Sequence, residues 1–73
     1  MKLEDIARAY VAAADLDDRA RSEAPHLAEE AGVLRAELHA LLMQALHANN
    51  VPFTDRADAA RLAYQLTRYA VTR

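Results

Sequence analysis

Leu27, Ala31, Leu34, Leu38, Leu41, Ala45 and Ala48 succeed one another at alternating steps of four and three. That spacing keeps one stripe of an α-helix apolar, and a helix carrying such a stripe lies lengthwise against other helices. A strand repeats every two residues, so the ladder excludes a sheet through the middle of the chain. It predicts how the chain packs and that it associates, but it implies no activity.

At 73 residues the chain makes one domain, residues 1–73. A domain of this size buries only about 60% of the surface its unfolded form exposes, so its core is marginal. There is no cysteine to add a disulfide or a thiolate–zinc site. A partner chain is then the simplest supplement. Hydrophobic residues make up 53%, yet with one Phe and no Trp much of that is Ala, the best helix former and a poor source of buried area. One Gly and two Pro leave little turn chemistry for hairpins. The expectation is an all-α, small three-helix bundle with a long central second helix, dimerising.

The first helix is expected over about residues 3–21, with Leu3, Ile6, Tyr10 and Ala13/Ala14 inward and Glu4 and Asp5 in the first turn, where the helix dipole favours carboxylates. Glu4 stands four residues before Arg8, a favourable ion-pair spacing. Asp17 spoils the apolar face, so the helix either frays near Asp15–Asp18 or shifts its contact stripe to Leu16, Ala20 and Ala24. Pro25 forces a break, with Ser22 as a natural N-cap for the second helix. A single helix kinked at Pro25 is the alternative. The second helix runs over about 25–48, widened by Leu42 and Leu46, with Glu30, Glu37 and Gln44 on the wet side. Asn49-Asn50 ends it in a left-handed cap. Phe53 precedes Thr54 or Asp55, either of which caps the third helix over about 55–70. That helix turns Ala59, Leu62, Ala63, Leu66, Tyr69 and Ala70 inward.

Catalytic and metal chemistry find little support. His39 and His47 share a face but stand two turns, about 12 Å, apart, too far for one ion, and His26 is isolated in a turn. Asp15-Leu16-Asp17-Asp18 lacks the glycine and closing Glu of a calcium loop and reads as a solvated acidic turn with Asp15–Arg19 and Asp17–Arg21 pairs. Ser22 is the only serine, and no glycine-rich loop is present to hold a phosphate. The carboxylates are expected at exposed positions, where burial does not tune them. The expectation is no enzyme, with no catalytic, cofactor or metal site.

Residues 51–73 carry Arg56, Arg61, Arg68 and Arg73 against Asp55 and Asp58, a surplus of two positive charges in a chain of net charge −2. The outer face of the third helix, Arg61, Tyr64, Gln65 and Arg68, is therefore the expected partner-binding surface, because Arg and Tyr dominate interface hot spots. Leu34, Leu38, Leu41 and Leu42 are the expected self-association seam. A strip of Gly32, Ala36, Ala40 and Met43 either receives another helix or is covered within the bundle. The function expected is a small protein-interaction module: an adaptor, antitoxin-like regulator or inhibitor of a larger protein. Its Arg-rich, Ala-rich composition points to a bacterial or phage source. No apolar run nears the ~20 residues of a membrane span, and the N-terminus lacks signal-peptide character, so the expected setting is cytoplasmic. The alternative is a small DNA-binding transcriptional regulator reading a groove with the third helix. Against it, the Asn49–Thr54 connection exceeds the short turn of a helix-turn-helix.

Overall fold

Pro25 breaks the chain into an antiparallel hairpin. In the computed structural model, which describes residues 2–72 with side chains through Arg68, α1 spans Leu3–Glu23 and α2 spans Ala28–Ala48. A 3₁₀ turn, Pro25–Leu27, joins them, and α3 covers Arg56–Thr72. The expected three-helix, all-α architecture is the one found. No strand occurs among the described residues. The inward positions expected for Tyr69 and Ala70 lie outside the described side chains.

The break lies later than Ser22. Ser22 stays inside the last turn of α1, its hydroxyl donating to the Arg19 carbonyl at 3.3 Å, so it caps nothing. Ala24 leaves the helix at φ −143°, ψ 69°, as the residue before a proline is sterically pushed to do. Pro25 then opens the 3₁₀ turn, where its missing N–H costs nothing. A continuous kinked helix is excluded, because α2 packs back along α1: Tyr10 meets His39 and Asp17 meets Arg35.

Asn50 ends α2 in the left-handed conformation expected of it, φ 59°. The Val51 N–H reaches the Leu46 carbonyl at 2.9 Å and the Asn50 N–H reaches that of His47 at 3.1 Å, a complete Schellman closure. Asp55 caps α3, its carboxylate accepting the Asp58 N–H at 2.8 Å. Asp58 reaches back to accept the Thr54 N–H at 3.0 Å, a close variant of the capping box. Phe53 tucks against the core between these two caps, its ring 4.8 Å from that of His47.

The spine is α1, not α2. Helices α1 and α2 are equally long, and α1 packs extensively on both others while α2 and α3 touch far less. Alanine explains this: Ala7 and Ala14 on α1 and Ala59 and Ala63 on α3 are fully buried and let backbones approach closely. Tyr10, Leu42 and Leu46 supply the bulk of the core between them.

The heptad ladder does not form one seam. Ala31, Leu38 and Ala45 turn inward beside Leu42 and Leu46, while Leu27, Leu34 and Leu41 stay 45%, 41% and 48% exposed. The inward arc is rotated because Arg35 finds a polar partner across the hairpin and His39 one at the start of α3, and both occupy positions that an apolar reading assigns to leucine. Gly32 and Met43 of the small-residue strip are half-buried, whereas Ala36 and Ala40 face solvent.

Candidate functional site

Opposite flanks of the α1–α2 hairpin carry different chemistry. On one flank Asp17, the residue that spoils the apolar periodicity of α1, is 1% exposed. It neither frays the helix nor shifts its face. Arg35 of α2 donates to it at 3.0 Å and Arg21, one turn along α1, at 3.3 Å. The Arg35 bond, against the opposing pull of burial and with help from Arg21, holds the Asp17 pKa below its ordinary value. Asp17 in turn, and Tyr10 after it, raises that of Arg35. Asp17 is thus a buried, tuned carboxylate rather than part of a solvated turn. The Asp15–Arg19 pair, 3.4 Å apart and well exposed, does match its surface reading.

His39 belongs to the same flank and is buried. Its Nε2 lies 2.9 Å from the Arg56 carbonyl, and since a carbonyl only accepts, Nε2–H donates. Its ring sits 5.0 Å from that of Tyr10. This bond ties the start of α3 to α2. A hollow of about 200 Å³ opens here, lined by Asp17, Arg21, Gly32, Arg35, Ala36, His39 and Arg56.

The other flank is apolar. Leu16, 50% exposed on α1, faces Leu27 and Leu34 of the second arm across a hollow of about 450 Å³ floored by Ala20, Ala24 and Ala31. Arg19, Glu23 and Glu30 stand at its rim. Leu41 continues the leucine row one heptad further. Of the expected self-association residues, Leu34 and Leu41 are therefore at the surface and Leu38 is half-buried against the core. Leu42 is fully buried in the chain's own core and is not free to meet a second copy.

Arg61, Tyr64, Gln65 and Arg68 share the exposed face of α3. Arg61 is engaged by Asp58, to which both Nε and Nη2 donate. Asp58 has its pKa lowered, first by the Thr54 N–H and then by Arg61. Tyr64, 45% exposed, sets its ring edge-on to Tyr10 at 6.5 Å, which fixes one side of that face to the core. At the start of α1, Arg8 pairs with Asp5 at 3.8 Å rather than with Glu4. Among the described residues no three His, Asp or Glu side chains converge as a metal site would require, and no helix is long and apolar enough to cross a membrane.

No protein-family model, curated protein or solved structure matches the chain. Sequence reasoning missed the Asp17–Arg35 pair, the arginine-lined hollow and the part Leu16 and Leu27 play at the apolar edge. One signal did point there: a lone carboxylate on the inner stripe of α1 and a lone guanidinium near that of α2 call for each other.

Proposed function

We propose that this chain is a non-enzymatic interaction module. It pairs with a second copy through the edge formed by Leu16, Leu27, Leu34 and Leu41, and offers Arg61, Tyr64, Gln65 and Arg68 to a larger protein as an adaptor, antitoxin-like regulator or inhibitor. The carrying observation is the uncovered leucine edge with its alanine-floored hollow, in a domain whose own core is small.

A second copy suits this edge because the surface is self-complementary. A two-fold axis through Leu34 of antiparallel α2 helices sets Leu27 against the partner subunit's Leu41, since each lies seven residues, about 10.5 Å, from the axis. The knob of one copy then enters the hollow of the other. Arg19 beside Glu23 and Glu30 puts both signs of charge on the rim, as a self-pairing surface needs.

Light scattering coupled to size exclusion tests this reading. The wild-type chain is expected to run as a dimer, and the double variant Leu34→Glu, Leu41→Glu as a helical monomer. A wild-type monomer at high micromolar concentration, melting at the same temperature at every dilution, contradicts it. Salt-dependent duplex binding abolished by Arg61→Ala and Arg68→Ala establishes the DNA-regulator reading instead.

A further inference from the structure

We infer that the polar hollow between α1, α2 and the start of α3 binds a phosphoryl anion, either free phosphate or the phosphate of a small monoester. Three guanidinium groups from three helices, Arg21, Arg35 and Arg56, line one space of about 200 Å³. Arg21 and Arg35 are oriented by the Asp17 carboxylate at the floor, and Arg35 also reaches Asp18 at the rim, 3.7 Å away. The three cations outnumber these two carboxylates. Arg56 is exposed and makes no ion pair among the described residues. Each guanidinium has five N–H donors, of which the contacts of Arg35 with Asp17 and Asp18 use only Nη1. The remaining donors, in planar forks approaching from different helices, match the several oxygens of a tetrahedral phosphate better than the two of a carboxylate.

Gly32 is the second observation. It is the chain's only glycine and sits inside α2, where glycine is the poorest helix former after proline. Packing does not demand it: a Cβ there meets its nearest neighbour, the Asp17 carboxylate, at an ordinary 3.8 Å. What its missing side chain does is keep the hollow open. The surface is separate from the leucine edge, with which it shares no lining residue, so it stands whether or not the chain dimerises.

The test is an NMR titration of the labelled protein with inorganic phosphate, glycerol 3-phosphate and acetate at constant ionic strength. Saturable shifts of the Gly32, Arg35 and Arg56 amides are expected with the two phosphates and not with acetate; the tighter of the two identifies the source. Arg56→Gln, which leaves the Asp17 pairs in place, is expected to weaken phosphate binding about tenfold, equivalent to about 1.4 kcal/mol. Gly32→Ala is expected to weaken it as well while keeping the fold. Equal response to acetate, unsaturable shifts spread over Arg8 and Arg19 too, or Arg56→Gln binding as wild type overturns the assignment.

Discussion

The carboxylate of Asp17 and the guanidinium of Arg35 meet at 3.0 Å across the α1–α2 hairpin, eighteen positions apart in the chain, with the acid almost wholly shielded from water. Such a pair contributes less to net stability than its closeness implies, because both groups give up hydration to form it. Its effect is on specificity. Alanine is the commonest residue on the inner face of α1 and tolerates several helix registers. One buried acid with a partner across the hairpin does not: a slip takes away Arg35, the closer of its two counter-ions, and leaves only the exposed Arg21 of its own helix to answer an interior charge.

Removing one partner should therefore hurt more than removing both. Asp17→Ala is expected to lower the melting temperature well beyond Asp15→Ala, whose ion pair is exposed. The double variant Asp17→Leu, Arg35→Leu should recover much of the loss and can exceed the wild type, because an apolar pair of similar shape incurs no charge desolvation. Circular dichroism melts of the four proteins check this. An Asp17→Ala melt matching that of Asp15→Ala removes the pair from any structural role.

Acid should unfold the protein through the same group. The folded-state pKa values of Asp17 and Asp58 are lowered from the ordinary 3.8, so in acid the unfolded chain binds more protons than the folded one. The stability they contribute is complete above that ordinary value and is lost as pH falls through the lowered folded values. Melting temperature is expected to decline below about pH 4, with a shallower decline in Asp17→Asn. A wild-type profile flat between neutral pH and pH 2 contradicts the linkage.

Much of the fold was legible from local chemistry. Asn49-Asn50 and Asp55 mark helix boundaries within one residue of where their chemistry places them, because capping depends on a few adjacent residues; Pro25 marks the break, although α2 begins three residues after it, at Ala28. Which face of α2 points inward was not legible in the same way. Leu34 and Leu42 are equally apolar, and the partners offered by Asp17 and by the Arg56 carbonyl draw Arg35 and His39 inward and leave Leu34 outside. The exposed α3 face, Arg61 through Arg68, was readable from periodicity alone. The arginine hollow was not, since its three cations come from separate helices.

Core truncation separates the two leucines. Leu42 is fully buried among Tyr10, Ala59 and Ala63, and Leu42→Ala is expected to cost about 2–5 kcal/mol, a large part of what a domain this small possesses. Leu34→Ala should cost less than about 1 kcal/mol when measured dilute enough to keep the chain monomeric. Urea titrations of both variants give the comparison. Equal losses place Leu34 in the core and remove the apolar edge.

Two caps can be weighed separately. Asp55→Ala leaves the Asp58 N–H without its acceptor and is expected to cost about 0.5–2 kcal/mol. Asn50→Ala forces a Cβ-bearing, non-Asn residue into the left-handed region and is expected to cost about 1–2 kcal/mol, whereas Asn50→Gly should be neutral or stabilising. Thermal melts of the three variants check the order. Asn50→Ala matching Asn50→Gly contradicts the left-handed cap.

Gly32→Ala sets fold and site against each other. The backbone at Gly32 has no positive φ, and an added methyl finds its nearest side-chain neighbour at van der Waals distance. The methyl also restricts the unfolded chain and favours the helix. The variant is expected to be more stable than the wild type by about 0.5–1 kcal/mol, read from urea denaturation. A residue retained only for packing would show the opposite sign, since filling a needed gap strains its neighbours. A stabilised Gly32→Ala that binds phosphate less well therefore assigns the glycine to the hollow. A destabilised one returns it to the α1–α2 contact, where Asp17 then needs the room.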